Sequence, residues 1–286
     1  MSKSIKAYQS GFSFLLSSKK IWFLIYGLNV GFAILVALPL NNYLKSTISD
    51  SLATNNEFLQ FNYTYISDFL ANYGSGLEVV FNTSIYILLS YFIIMVFISG
   101  GMVTIIQNRD KYQEFSNFWK GGAVLFWRFL RLDFYFILIY LVIAAIGFSI
   151  FQFGGLSVFE MESETGLINR FYIIAIVMSI LFFILGIIHI YAKLFISKTN
   201  KILIHKDVLK AFSFCIKNFG IVILLGIINL LVFGIFAGFY FWFRNHYYFS
   251  NSPILLLFVI GQLFILFRIA CRIIRTASFE ALSRGE

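Results

Sequence analysis

Charge is scarce in this chain: 12% of its 286 residues are Asp, Glu, Lys or Arg, where a soluble domain carries about 25%. So little charge cannot cover the surface of a water-soluble fold of this size, and 60% of the residues are apolar. Cysteine is nearly absent. Cys215 and Cys271 both fall on the side assigned below to the cytoplasm, where thiols stay reduced, and no disulfide is expected. The three histidines, His189, His205 and His246, do not cluster with cysteines or carboxylates at metal-ligand spacing. A glycine-rich phosphate loop is missing, as is a Ser or Cys nucleophile with a nearby partner, so the reading is of no enzyme, no metal and no cofactor. His189, one turn before Lys193, reads as an interfacial hydrogen-bonding residue. None of the predicted membrane spans has an acid at its centre, which argues against ion-driven transport. The first apolar run ends in "ALPLNNY" without a small-x-small site, and a cleavable signal peptide is not expected.

What the chain has instead is six apolar stretches near the ~20 residues that cross a ~30 Å hydrocarbon core. They are 21–40, 79–106, 134–153, 171–192, 219–243 and 253–271. The second exceeds a perpendicular crossing and is expected to tilt or to bend near Gly100–Gly101. Lysine and arginine alternate cleanly between sides. Segments 1–20, 107–133, 193–218 and 268–286 hold 4, 5, 6 and 4 of them, and each intervening segment holds 1. Basic flanks stay in the cytoplasm, which predicts both termini there, in the inner membrane of a bacterium. The net charge of +9 is accounted for by these flanks and by anionic headgroups at the cytoplasmic face, not by nucleic acid. In the outer loop 41–78, Leu44, Ile48 and Leu52, then Ile66, Phe69 and Leu70, recur at helical spacing before Gly74 and predict two short amphipathic helices.

"SGFSFLLSSKK" at 10–20 and "KAFSFCIKNFG" at 210–220 are similar. A shift of 200 residues aligns Phe12-Ser13-Phe14 with Phe212-Ser213-Phe214, Ile21 with Ile221, Leu24 with Leu224 and Asn29 with Asn229. A looser third copy is "FSNFWKGGAVLFWRFLRLDFYFILIYL" at 115–141. Each copy reads as a short helix lying in the interface, aromatic side down, followed by a sharp turn into the membrane. The expected fold is therefore all-α: one transmembrane domain over 1–286, built as three hairpins with amphipathic interfacial elbows. On "FWKGGAVLFWRFLRL" (118–132), "YAKL" (191–194), "DVLKAFSF" (207–214) and "GQLFILFRIACRIIRTASFEAL" (261–282), the chain resembles uncharacterised six-helix bacterial proteins. That group is similar to the membrane domain attached to some glycerophosphoryl diester phosphodiesterases. Ile190 stands where the family pattern favours an acid. The resemblance implies a helical bundle with elbows and no activity, since no phosphodiesterase domain is present.

Counted at 1.5 Å per residue, Asn29, Ser90, Ser179, Asn229 and Gln262 fall near the middle of their spans. They read as hydrogen-bonding contacts between helices or, alternatively, as the lining of a midplane polar cavity. Gly27/Gly31 and Gly234/Gly238 have the spacing that lets helices approach closely. Phe212 and Lys217 on the elbow, with Arg268, Arg272 and Arg275 on the last helix, are candidate contacts for lipid headgroups or a partner. The expected function is a non-enzymatic accessory or scaffold subunit that packs with other membrane protein subunits or organises lipid. The alternative is a solute or lipid transporter.

Overall fold

The computed structural model describes residues 3–48, 63–108, 115–153, 164–199, 204–248 and 254–285. Among these there is no strand. The described residues form eight helices: α1 (Lys3–Ser17), α2 (Lys19–Ile48), α3 (Tyr63–Gln107), α4 (Phe115–Phe153), α5 (Glu164–Lys198), α6 (Ile204–Lys217), α7 (Phe219–Tyr248) and α8 (Ile254–Arg284). Six of them, α2, α3, α4, α5, α7 and α8, are long and apolar enough to cross a membrane. The chain is thus a polytopic helical membrane protein, whose backbone polar groups bond within each helix as hydrocarbon requires. It divides into two compact units, Met1–Trp22 with Val96–Glu286, and Phe23–Met95.

The smaller unit is an antiparallel pair made by α2 and most of α3. The Tyr91 hydroxyl donates to Asn29 Oδ1 at 2.8 Å, and the Tyr91 ring meets Phe32 edge-on at 5.2 Å. Farther along, Tyr43 donates to the Tyr73 carbonyl. The described parts of the two amphipathic helices expected in 41–78 are continuous with the long helices on either side. Leu44 belongs to the last turns of α2, while Ile66, Phe69 and Leu70 belong to the first turns of α3, which runs through Gly74; Leu52 lies outside the described residues. Gly74 and Gly76 each cost the helix only about 1 kcal/mol, whereas breaking it would expose its terminal carbonyls.

In the larger unit the two closest sequence copies fold alike. After α1, Ser18 Oγ donates to the Phe14 carbonyl at 2.8 Å, and after α6, Asn218 Nδ2 donates to the Phe214 carbonyl at 3.2 Å. Short polar side chains bonded back to a carbonyl compete with helix continuation, and at these joints they set the elbows. The third expected elbow does not exist, because α4 runs unbroken from Phe115 to Phe153. Between Trp119 and Leu132 the sequence has no Ser, Thr, Asn or Asp that could divert the backbone.

All three copies nevertheless dock in the same way. α1 lies on the end of α8, where a Cβ at Gly11 would stand 2.7 Å from the Ile274 carbonyl oxygen. The first turns of α4 lie on the end of α3, where Gly101 faces the Phe118 backbone and Gly121 faces Thr104. α6 lies on the end of α5 through Tyr191 against Phe214 (4.9 Å) and Thr199 Oγ1 bonded to Asp207 at 2.8 Å. Each segment that leads a hairpin thus covers the second helix of the preceding hairpin, and the first covers that of the last. This is a cyclic, threefold-like order.

The core sits at these helix ends. Tyr191, Phe118, Phe129, Phe136 and Phe279 are each at most 1% exposed. Cys215 is buried under α6, and burial pushes its thiol up to about 12. Away from these ends, α4 keeps α5 through Tyr140 and Phe182 (5.6 Å), and α7 keeps α8 through Tyr240 and Phe264 (4.2 Å). The remaining faces of those lengths are exposed leucine, isoleucine and phenylalanine, as suits acyl chains. Gly27, Gly31, Gly234 and Gly238 do not mediate the close approach that their spacing suggests: a Cβ on any of them would meet nothing within 4 Å. Close approaches that involve backbone or a short side chain lie at other glycines, among them Gly11, Gly101, Gly121 and Gly122.

Candidate functional site

A cavity of about 300 Å³ opens where α3, α5 and α8 converge. Each contributes one helical face at i, i+3, i+4 spacing: Ser99, Met102 and Val103; Gly186, His189 and Ile190, followed by Lys193; Arg272, Arg275 and Thr276. Tyr140 of α4 completes the lining. These are the second helices of the three hairpins, so the cyclic order of the fold is what brings their faces around one space.

Beyond the cavity the last turns of the three helices are tied in a ring. Gln107 Nε2 donates to the Leu194 carbonyl (3.0 Å) and to Ser197 Oγ (2.6 Å), which joins α3 to α5. Lys198 Nζ pairs with Glu280 Oε1 at 3.1 Å, which joins α5 to α8. Arg284 donates to the Ile106 carbonyl at 3.3 Å and to the Gln107 carbonyl, which returns to α3. Glu280 is fully buried and also holds Arg284 at 3.2 Å and Ser283 at 3.0 Å. Basic side chains at helix C-termini satisfy carbonyls that have no partner within the helix. The ring therefore fastens the three helices just past the cavity.

The wall of the cavity carries an unusual density of charge for a membrane helix bundle. Asp133, on α4, accepts from His189 Nε2 at 2.7 Å and from Lys193 Nζ at 2.8 Å on the same oxygen, Oδ1. The Asp133 side chain is 10% exposed and that of Lys193 17%, so the pair is largely withdrawn from solvent. The His189 ring stacks on Phe136 at 4.3 Å, and the Lys193 ammonium stands 5.6 Å from the Phe129 ring centre. The aromatic rings fix both partners in orientation. Lys193, Arg272 and Arg275 belong to the lining, which includes no carboxylate among the described residues, and Asp133 pairs with Lys193 from α4. Charged groups within membrane segments are costly unless they face a cavity and meet a counter-charge. The lining thus combines two guanidinium groups, a phenol and an ammonium held by a carboxylate, donor types that pair with anions.

Of the residues singled out in the sequence, Arg272 and Arg275 meet here, while Arg268 is exposed outside the cavity. Phe212 is 49% exposed on a stripe with Leu209 and Ile216, and Lys217 is exposed at the end of α6. None of Asn29, Ser90, Ser179, Asn229 and Gln262 lines the cavity. Ser90 and Ser179 are exposed and bond to the carbonyls of Tyr86 and Ala175 in their own helices. Asn29 and Asn229, aligned by the repeat, make the same bond four residues back, to Ile25 and Leu225. Gln262 is half-buried.

Asp133 lies one residue before the span expected at 134–153, and the structure places it at the middle of α4 and inside that helix's candidate membrane span. The signal in the sequence was the His189–Lys193 pair at i, i+4 spacing, which needed only a carboxylate on the facing helix of an antiparallel hairpin. Among the described residues, no three His, Cys, Asp or Glu side chains are grouped to hold a metal ion. Compared with family models, with curated proteins and with solved structures, the chain matches none.

Proposed function

We propose that this protein is a non-enzymatic integral protein of the bacterial inner membrane that organises lipid by holding an anionic amphiphile in the cavity among α3, α5 and α8. The observation that carries this reading is the cation-rich cavity wall within segments whose outward faces are apolar. A headgroup placed there finds guanidinium partners while its chains find the exposed leucine and isoleucine faces of the hairpins. The elbow stripe of Leu209, Phe212 and Ile216, with Lys210 and Lys217 beside it, suits the membrane interface. A transporter path through the midplane amides gains no support from this cavity, since none of them lines it.

Both termini are assigned to the cytoplasm on the 19-to-3 partition of basic residues. With Cys215 buried and Cys271 replaced by serine, a cysteine at Lys206 should stay unlabelled by an impermeant thiol reagent in intact cells. Labelling there would reverse the orientation. The lipid reading is tested by native mass spectrometry of the full chain released from mild detergent. Retained phospholipid enriched in anionic species over the membrane extract is expected. A chain that comes out without lipid but with a stoichiometric protein partner would move the reading to a protein scaffold, and a chain with neither would overturn it.

A further inference from the structure

We infer that the headgroup held in this cavity is a polyol phosphate, an anion that brings hydroxyl donors beside its phosphate, and not a bare alkyl phosphate. The inference rests on the lipid-organising reading above and concerns the same site.

Several hydrogens of the lining are already committed to the protein. Ser99 on α3 donates its hydroxyl hydrogen to the Val96 carbonyl at 2.8 Å, and Thr276 on α8 donates its own to the Arg272 carbonyl at 3.0 Å. A hydroxyl has one hydrogen and two lone pairs, so each of these side chains has only acceptor capacity left. His189 on α5 is in the same position. Its Nε2 lies 2.7 Å from Asp133 Oδ1, and an ionised carboxylate can only accept, so Nε2 carries the hydrogen. Lys193 supplies the counter-charge of Asp133 at 2.8 Å, so the ring serves there as a neutral donor and its Nδ1 keeps a lone pair. All three residues line the cavity, one from each of the converging helices.

A wall of this kind calls for hydrogen donors as well as for negative charge. Arg275, exposed within the lining, has donors only and suits phosphate oxygens. An ionised phosphate diester has no hydrogen to give to Ser99, His189 and Thr276. A headgroup without hydroxyls would displace water from these acceptors and leave them unpaired. Hydroxyls on the carbons beside the phosphate pair with them instead, and a site that hydrogen-bonds a ligand hydroxyl discriminates against the analogue that lacks it. The cavity volume of about 300 Å³ holds a phosphate with a glycerol-sized polyol, while the chains must lie outside.

The test uses the full chain in phosphatidylcholine nanodiscs at pH 8. Thermal unfolding is followed with a tenth of the lipid replaced by phosphatidylglycerol, or by phosphatidylethanol, a diester of the same charge without a free hydroxyl. The expected result is a rise in Tm of several degrees with phosphatidylglycerol and at most half of it with phosphatidylethanol. Ser99→Ala, Thr276→Val and His189→Leu should each shrink that difference, while Ser179→Ala, which removes the same kind of bond to its own helix outside the cavity, should preserve it. Because the difference is taken within each variant, a general loss of stability moves both lipids alike and leaves it unchanged. Should His189→Leu not fold, Ser99→Ala and Thr276→Val carry the test, since neither touches the Asp133 pair.

Equal shifts with the two lipids in the parent chain would overturn the polyol inference and leave the lipid reading standing. No shift with either lipid would overturn both. A difference undiminished in all three cavity variants would overturn this wall as its source. An equal shift from soluble glycerophosphoglycerol in plain phosphatidylcholine discs would keep the polyol phosphate and overturn the lipid as the molecule that carries it.

Discussion

Replacing Asp133 with Leu is expected to cost about 3–5 kcal/mol, as breaking a buried ion pair from one side does. The carboxylate is the only described acceptor for both His189 Nε2 and Lys193 Nζ, at 2.7 and 2.8 Å. Its loss strands an ammonium that cannot swing to water, because Lys193 is 17% exposed and held against Phe129. It also leaves Lys193 beside Arg272 and Arg275 in the cavity lining with no carboxylate of its own. The measurement is Tm in a mild detergent. The double variant Asp133→Leu with Lys193→Met should recover most of the loss, since removing both charges from a buried pair is far less damaging than removing one. A single variant as stable as the parent would mean that the pair is not formed in the folded protein.

The glycine contacts set the second large effect. A Cβ at Gly101 would stand 2.5 Å from the Phe118 carbonyl oxygen and 2.8 Å from its ring, and backbone cannot yield without separating α3 from α4. Gly101→Val should therefore cost about 1–3 kcal/mol or more. Gly11→Val should do the same between α1 and α8, where the Ile274 carbonyl lies 2.7 Å from the added carbon. At Gly234 nothing lies within 4 Å, and Gly234→Ala should be neutral or slightly stabilising through helix propensity. Thermal unfolding of the set decides the matter. If Gly234→Ala proved as harmful as Gly101→Val, the face with its spaced glycines would be an interface with another chain.

These two effects mark what a reading by residue type misses. The glycines at i, i+4 spacing in α2 and α7 looked like contacts, yet spacing along one helix says nothing about whether a second helix lies opposite. The glycines that matter sit where another segment lies opposite: Gly11 on α1 against α8, and the pairs Gly100–Gly101 and Gly121–Gly122 where α3 and α4 face each other. The midplane amides show the same limit. Their depth was legible, but a side chain near the middle of a span can equally bond to its own helix, as Ser90, Ser179 and Asn229 do.

The sequence by itself determined the class, the number of crossings, the pairing into hairpins and the two elbows. Those follow from local quantities: the length of an apolar run against a fixed hydrocarbon thickness, and a polar residue at Ser18 or Asn218 that can bond four residues back. The repeat at a shift of 200 residues was legible for the same reason, since equal local patterns fold alike. The tertiary structure alone decided which faces meet. Asp133 lies 56 residues from His189 and 60 from Lys193, and their meeting depends on how α4 and α5 are rotated about their axes. Arg272 and Arg275 reach the same space only because α1 and the start of α4 hold α8 and α3 in cyclic order around it. Rotation and order are set by packing between segments far apart in the chain, and no run of residues read singly carries them.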